Sequence, residues 1–203
     1  RLMVPICIAL ICGSFAAAAI LSMRLDRTHA LGQAAYFEQQ RAADLADAAG
    51  ATLGRLAATG RDFARNPGTR AGDPAIRNIA VYQGGLLLAA SSSQSALPQQ
   101  PQFRGSRTLF TFGPELALAV RDGDKVIAVL FDPAALAPPS LMRRAALSSD
   151  STAIVSGAGW RADGARQESK VAGWPLKAAT EMDSEDALAS WRGLVPLYIF
   201  VIL

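Results

Sequence analysis

A single apolar run near the start of the chain restricts its fold more than any other feature. Residues 2–23 carry no charged side chain, and Arg1 and Arg24 bound them. At about 1.5 Å per residue, a helix of this length reaches roughly 33 Å, against about 30 Å for the hydrocarbon core of a bilayer. The sequence therefore predicts a transmembrane helix over residues 1–24, with the lipid bilayer as a partner.

A cleaved signal peptide is the alternative interpretation of this run. Arg1 would be its positively charged start, and the alanines at residues 16–19 resemble a small-residue cleavage site. A typical signal peptide has an apolar core of only about 7–15 residues. Because the run is longer than this and a helical pattern continues beyond it, we favour an uncleaved anchor.

A second apolar run closes the sequence. Residues 194–203 are uncharged and include Pro196. Because about 20 residues are needed to cross a bilayer, this run is either the first part of a second transmembrane helix or a buried terminal strand. We favour the truncated helix. Since the first residue is not Met, we also expect both ends to have been cut from a longer protein.

The residues before this run predict a helix that enters it, over residues 184–203. Asp183 is suited to an N-cap position. Glu185 and Asp186 would then lie in the first turn, where the positive end of the helix dipole stabilises acidic side chains. Two side chains suited to a water–lipid boundary follow, Trp191 and Arg192.

Between the apolar runs, residues 25–66 have a helical pattern with apolar side chains at steps of three and four. The pattern predicts a helix of about 63 Å that forms a stalk and packs on the next domain. Gly50, Gly54 and Gly60 each weaken a helix by about 1 kcal/mol relative to Ala, so we expect a break near one of them. Residues 25–63 are also the predicted homodimer interface. The apolar positions are Ala42, Leu45, Ala49, Leu53, Leu56, Gly60 and Phe63.

Residues 67–183 have the pattern of a sheet domain. Two hairpin turns are predicted, at residues 83–85 and 122–125. Asp132 and Pro133 predict a short helical turn, and residues 141–147 predict another short helix. The fold class is therefore α+β, with the long helix packed on one antiparallel sheet of five or six strands. Seven runs are strand-like, and the five or six strands are expected among them: residues 76–82, 86–92, 108–112, 116–121, 126–131, 151–156 and 171–180.

Charge and composition exclude several classes of function. The 20 Lys and Arg against 17 Asp and Glu leave a net charge of +3, without a basic run that would follow a phosphate backbone. Nucleic acid is therefore not expected as a partner. The chain has one histidine and two cysteines, and both cysteines lie in the first apolar run. These residues are too few for a metal site of ordinary His or Cys spacing, and no cofactor is predicted.

The end of the domain resembles the PAS-like Cache sensor domains of bacterial receptors. Residues 171–180 and 187–192 look like the ending in which a strand leads into a membrane helix, and residues 126–136 are similar to the central strand and following turn. The resemblance implies a periplasmic sensor, usually dimeric, that lies between two transmembrane helices and controls a histidine kinase or a diguanylate cyclase. The chain has the length of one compact domain, so the two-lobed version of the family does not fit.

The sequence contains no catalytic constellation. The serines at residues 148, 149 and 151 lack the Gly-x-Ser-x-Gly setting of a nucleophile. The one histidine, His29, lies just beyond the first apolar run, too far from the sheet domain for a catalytic triad. If a small molecule binds, we expect it over the sheet, between residues 107–121 and the helix near residue 141. Arginines there suit a carboxylate or phosphate, and aromatic rings would form a wall. The alternative is that the arginines are surface residues and the rings fill the core. The candidates are Arg107, Arg121, Arg143, Arg144, Tyr82 and Trp174.

These observations predict the sensory input region of a membrane-bound bacterial receptor, in first place a histidine kinase. Residues 25–192 would lie in the periplasm, and the inner membrane would hold the rest. Two alternatives stay open: the sensor of a diguanylate cyclase or phosphodiesterase, and a tethered module that docks another protein without switching. The predicted units are an anchor (1–24), a stalk and dimerisation helix (25–66), a sensor domain (67–183) and an exit helix (184–203).

Overall fold

A single long helix organises the molecule. The computed structural model describes residues 3–67, 72–92, 97, 106–149, 152–161 and 165–202. Helix α1 (Met3–Arg65) runs unbroken over 63 residues, and two antiparallel sheets follow it. The predicted α+β class and the long N-terminal helix are confirmed.

The first sheet, sheet A, has five strands in the order β2-β1-β5-β4-β3, and each neighbouring pair is antiparallel. Both predicted hairpin turns are confirmed, at residues 84–85 and 123–124. A 3₁₀ turn at Pro133–Ala135 is capped by the Asp132 side chain, as the sequence predicted. The strands are β1 (Ile76–Gln83), β2 (Leu86–Ala90), β3 (Arg107–Phe112), β4 (Glu115–Asp122) and β5 (Lys125–Phe131).

A second sheet, sheet B, corrects the prediction of a single sheet. Its four strands lie in the order β7-β6-β9-β8, again antiparallel. Two sheets fit in this short chain because both of them pack on the same helix. The strands are β6 (Ala145–Ser149), β7 (Thr152–Ser156), β8 (Arg166–Lys170) and β9 (Lys177–Glu181).

Sheet B contains the elements that the sequence predicted least well. The predicted helix over residues 141–147 is wrong beyond α2 (Pro139–Met142), because the buried residues 145–147 pair as a strand with both β7 and β9. The predicted strand over 171–180 begins only at Lys177, after a turn. Strand β8 was not predicted, since all five of its residues are polar.

The predicted break in α1 is also wrong. Gly50, Gly54 and Gly60 all lie within the continuous helix. At Gly60 the missing side chain lets α1 approach sheet A, because an added Cβ would lie 2.8 Å from a methyl carbon of Val129 and 2.9 Å from one of Ile127. Packing on the sheet thus offsets the low helix propensity of glycine at this position.

One hydrophobic core joins α1 to both sheets. Leu45, Leu53 and Leu56 have no exposed surface, so the apolar face predicted to form a dimer instead covers the protomer's own sheets. Sheet B meets α1 near Glu38, and sheet A meets it further along, at Gly60. The core residues from the sheets include Ile79, Val81, Leu118, Val129 and Phe131 of sheet A and Leu147 and Ala178 of sheet B.

The N-terminal part of α1 projects away from this core. The side chains of Ile6, Leu10, Ile11 and Phe15 are all more than half exposed. Among the described residues, α1 is the one helix that is long and apolar enough to cross a membrane. The prediction of a first membrane-spanning segment is consistent with this exposure.

Two helices follow sheet B, the short α3 (Ser184–Ala187) and α4 (Ala189–Ile202). The alternative of a terminal strand is therefore wrong. The described part of α4 has 14 residues, so a second membrane crossing is not shown. Helix α4 packs beside α1: the indole Nε1 of Trp191 donates to the carbonyl of Met23 at 3.2 Å, and the Tyr198 hydroxyl donates to the Asp26 carboxylate.

Candidate functional site

A cleft of about 480 Å³ lies where the chain leaves sheet B for the exit helices. We call it the junction cleft. It is built by one face of α1 between residues 34 and 41, the end of α2 and the turn after it, the end of β9 and helix α3. Three arginines and four carboxylates line it, so its character is polar and its charges are close to balanced. Its lining is Ala34, Phe37, Glu38, Arg41, Ser140, Arg143, Arg144, Glu181, Met182, Asp183, Asp186 and Ala187.

Arg144 is the central residue of the junction cleft. Its guanidinium lies 2.7 Å from a carboxylate oxygen of Asp183 and 3.1 Å from one of Asp186. Its φ of 51° lies in the left-handed region, which a residue with a side chain rarely adopts. The backbone holds this conformation, since the N–H of Arg144 donates to Ala158 and its carbonyl accepts from Glu181. Arg144 therefore ties sheet B to the start of α3.

The backbone at Gly157 lies close to the end of α2, just before Arg144. An added Cβ at Gly157 would lie only 1.6 Å from the carbonyl oxygen of Met142. No side chain fits there, so glycine is required for the segment after β7 to run against the end of α2. The N–H of Gly157 donates to the carbonyl of Ala145 at 2.8 Å, which fixes the same segment to β6.

Asp183 performs two tasks at once. Its carboxylate accepts the N–H groups of Glu185 and Asp186, which caps α3, and it also pairs with Arg144. The hydrogen bond from the Glu185 N–H is the main cause that holds the pKa of Asp183 below its ordinary value, and the Asp186 N–H and Arg144 act in the same direction. The negative charge of Asp183 in turn raises the pKa of Arg144. Both groups are thus charged over the whole physiological range.

Helix α1 joins the junction cleft through a second set of polar contacts. Arg41 pairs with Glu38 at 2.8 Å and donates to the carbonyl of Arg143 at 2.5 Å. The fully buried Thr180 of β9 donates its hydroxyl to the carbonyl of Glu38 at 2.8 Å. A displacement of β9 or of the Arg143–Arg144 turn would therefore change contacts with both helices. The contacts with α1 are direct, and those with α4 pass through α3.

The structure separates the six predicted ligand-binding candidates. Arg143 and Arg144 lie together in the junction cleft. The guanidinium of Arg107 stacks over the ring of Trp174 at 4.9 Å from its centroid and donates to the carbonyl of Gly173 at 3.0 Å. Trp174 lines a different cleft, of about 660 Å³, formed by Ser148 and residues 170–177.

The remaining two candidates lie apart from both clefts. Tyr82 is buried against Ala80 and Ala128 on the face of sheet A opposite to the main core, and this burial raises its pKa. Arg121 is exposed near the end of β4. The six residues thus do not line one pocket, and a role for any of them in ligand binding stays a prediction.

Sequence reasoning missed the residues that α1 contributes. Glu38 and Arg41 lie more than 100 residues from their partners, Thr180 and Arg143, and no local pattern indicated this pairing. Asp183 was identified as an N-cap, and that prediction is confirmed. Its pairing with Arg144 had no signal in the sequence beyond the opposite charges.

The contacts of the junction cleft connect elements that are distant in sequence: α1, the Arg143–Arg144 turn, β9 and α3. Five of its seven charged groups form ion pairs, Arg41 with Glu38 and Arg144 with both Asp183 and Asp186. No group of three or more His, Cys, Asp or Glu that could hold a metal ion is found in the described parts of the chain. Comparison with known proteins gives no family: neither a family model, nor a curated protein, nor a solved structure matches this chain.

Proposed function

We propose that this chain is the extracytoplasmic sensory input region of a membrane-bound bacterial receptor, in first place a two-component sensor histidine kinase of the PAS-like Cache type. One observation carries the proposal. The apolar N-terminal segment and the segment that packs on both sheets belong to the same unbroken helix, α1, and α4 lies beside α1. A change of shape in either sheet is therefore transmitted directly to the part of the chain that enters the membrane.

The junction cleft supports a mechanism for this transmission. Arg144 connects sheet B to the N-cap of α3, and α3 continues into α4. In the proposed receptor, a stimulus shifts the packing of sheet B on α1, and the Arg144–Asp183 pair passes the shift to α4. The response requires two arrangements of this junction that differ by a few kcal/mol, so that a stimulus changes their populations.

The test uses the full-length parent protein in lipid vesicles. If the parent is a kinase, Arg144→Gln changes the rate of autophosphorylation severalfold, because the junction loses its link to α3. Arg121→Gln is the matched control, since Arg121 is an exposed arginine remote from the cleft. Formation of a cyclic dinucleotide in place of a phosphohistidine would assign the parent to the cyclases. A parent with neither activity would refute the receptor proposal.

A homodimer is part of the same proposal, but its interface must differ from the leucine face predicted above. Leu45, Leu53 and Leu56 are buried in the protomer. Tyr36 and Phe37 of α1 are each 64% exposed and form an edge-to-face pair, with centroids 6.1 Å apart. We therefore place the dimer contact on α1 near residues 25–37, N-terminal to the part that the sheets cover.

The dimer contact is tested with single cysteines along residues 25–37, in a chain whose native Cys7 and Cys12 have been replaced by Ser. Crosslinking in membranes should peak with a helical period and include Phe37→Cys. Leu53→Cys is the matched control and should not crosslink, because its side chain is fully buried. Equal crosslinking at every position would contradict the contact.

The periplasmic location of residues 25–192 is tested with the same cysteine-free chain. Ala58 is exposed on α1, well beyond the apolar segment. A cysteine at this position should react with a membrane-impermeant maleimide in intact spheroplasts. Labelling only after lysis would place the domain in the cytoplasm and would overturn this part of the proposal.

A further inference from the structure

The second cleft, of about 660 Å³, lies at one end of sheet B, around the turn that joins β8 to β9. We call it the turn cleft, and its lining is Ser148 and residues 170–177. Sites for small organic molecules have volumes of about 300–1,000 Å³ and a mostly apolar lining with a few polar groups. The turn cleft has this composition, since Ser148, Lys170 and Lys177 stand among Val, Ala, Gly, Trp, Pro and Leu.

The three polar side chains form one row across sheet B. Lys177 of β9 pairs directly with Ser148 of β6 on one side and with Lys170 of β8 on the other. Directly paired residues of neighbouring strands have their side chains on the same face, with Cβ atoms about 4.5–5.5 Å apart. The neighbouring pair, Leu147 and Ala178, lies on the opposite face, in the core. A hydroxyl and two ammonium groups therefore lie side by side on the outer face of the sheet.

The two lysines lack the negative charge that would balance them. Like charges directly opposite each other on neighbouring strands destabilise a sheet. Glu168 lies 3.0 Å from the Nζ of Lys177, but its carboxylate also pairs with Arg166 at 3.2 Å. Lys170 forms no ion pair with any described residue, and none of the residues that line the cleft is acidic. Two of the three lysines in the sequence thus face each other and leave the cleft with a net positive charge.

The turn between the lysines is fixed by contacts within the protein. The N–H of Val171 donates to the carbonyl of Leu176 at 3.0 Å, and the N–H of Trp174 donates to the carbonyl of Val171 at 3.1 Å. Arg107 of sheet A stacks on Trp174 and donates to the carbonyl of Gly173. A site that is already ordered loses little conformational freedom when a ligand binds.

The charges of the row determine the class of ligand. Two ammonium groups match a dianion, whereas a single carboxylate carries one negative charge. A phosphate monoester carries about −1.5 to −2 charges at pH 7 and has three strong acceptor oxygens. These oxygens can accept from both ammonium groups and from the hydroxyl of Ser148. The exposed Ala172 and Pro175 offer an apolar wall to the organic part of the ester.

We propose that the turn cleft binds a small organic phosphate, whose phosphate group lies between Lys170 and Lys177 and accepts from Ser148. Binding itself does not depend on the proposed function, but its role as a stimulus rests on that function. Strand β9 begins at Lys177 in the turn cleft and contains Thr180, whose hydroxyl donates to Glu38 of α1. A ligand at the start of this strand therefore acts on the contact between sheet B and α1.

The experiment is isothermal titration calorimetry of the full chain in maltoside detergent, in a buffer free of phosphate. The probe is phenyl phosphate, and inorganic phosphate and benzoate are titrated beside it. Lys170→Gln and Lys177→Gln should each weaken binding of phenyl phosphate by roughly tenfold or more, because a hydrogen bond between charged groups is lost. Lys125→Gln is the matched control, since the third lysine lies on sheet A, and it should bind as the unchanged chain does.

Two measurements on Lys170 separate binding from folding. Lys170→Gln removes the like-charge pair and should leave the stability of the chain equal or higher, so its loss of binding cannot come from unfolding. Lys170→Arg keeps the positive charge and should bind phenyl phosphate more tightly than Lys170→Gln does.

Three results would overturn the inference. They are no binding of phenyl phosphate to the unchanged chain, equal binding by Lys125→Gln and the two other glutamine variants, and benzoate binding as tight as that of phenyl phosphate. Inorganic phosphate that binds as tightly as phenyl phosphate would overturn the assignment to an organic ester. None of these results decides the receptor proposal, which the autophosphorylation assay tests separately.

Discussion

Replacing Gly60 by Ala tests the contact on which the unbroken α1 depends. Alanine in a helix interior is favoured over glycine by about 1 kcal/mol. Its Cβ would lie 2.8 Å and 2.9 Å from methyl carbons of Val129 and Ile127, and such overpacking costs about 1–3 kcal/mol. We therefore expect Gly60→Ala to be neutral or to destabilise the fold by up to about 2 kcal/mol.

Gly54 provides the matched control on the same helix. It is exposed, and an added Cβ would meet nothing within 4 Å. Gly54→Ala should therefore stabilise the fold by up to about 1 kcal/mol, so that the two variants differ by about 1–3 kcal/mol. The assay is guanidinium unfolding of the chain in detergent, followed by the fluorescence of its three tryptophans, of which Trp174 is buried.

A double variant makes the test specific to the contact. Val129→Ala removes the nearest methyl group, so the effect of Gly60→Ala should be smaller in that background than in the unchanged chain. Equal stabilisation by Gly54→Ala and Gly60→Ala, or strict additivity with Val129→Ala, would show that α1 does not touch β5 at this position. The direct link from the apolar segment to sheet A would then be lost.

Three further predictions concern polar groups. Thr180→Val should lower the free energy of unfolding by about 0.5–1.5 kcal/mol, because the hydrogen bond to Glu38 is lost. Thr180→Ser keeps the hydroxyl and should cost less, and an equal cost of the two variants would refute a contribution from this hydrogen bond. Asn78→Leu should lower the free energy of unfolding by about 1–3 kcal/mol, because the side-chain amide of the buried Asn78 forms hydrogen bonds with Ser91 and Ser92. Thermal or denaturant unfolding measures this change, and an unchanged stability would show that these hydrogen bonds contribute nothing. Asp183 has a pKa below 3.8 in the folded chain, so its contribution is present above pH 3.8 and is lost as the pH falls through the folded value. The melting temperature of Asp183→Asn should therefore vary less with pH in this acidic range than that of the unchanged chain, and parallel curves would contradict the assignment.

Local chemistry made much of sheet A predictable. Its two predicted hairpin turns contain Gly84, Gly85 and Gly123, all at positive φ, and glycine adopts that conformation without strain. The strands beside these turns are rich in β-branched and aliphatic residues. Asp132 and Asp183 were identified as caps for a similar reason, because a short acidic side chain accepts the first free N–H groups of a helix.

Sheet B was predicted poorly because its strands depend on their neighbours. Residues 145–147 are Ala-Ala-Leu, which suits a helix as well as a strand, and only pairing with β7 and β9 decides between them. Strand β8 has no apolar residue at all. The unbroken course of α1 through three glycines was missed for the same reason: the intrinsic cost at Gly60 is offset by packing on a sheet that lies distant in sequence.

The junction cleft was beyond the reach of sequence reasoning. The clustering of Arg107, Arg121, Arg143 and Arg144 in one pocket was an inference from charge. In the fold, Arg107 contacts Trp174, another of the candidates, away from Arg143 and Arg144. Arg41 joins the cleft because α1 passes it at a particular rotation, which depends on the packing of both sheets. Opposite charges in a sequence do not specify which pairs meet.

The hydrogen bond from Thr180 to Glu38 joins residues 142 positions apart. Contacts of such high sequence separation slow folding, because a long loop must close before they form. Until β9 has been synthesised and has docked, the apolar side of α1 lacks part of its covering, and exposed apolar surface of this kind favours aggregation. The core described above therefore closes only when β9 docks on α1, so a chain shortened before residue 177 would lack one strand of sheet B and part of the covering of α1.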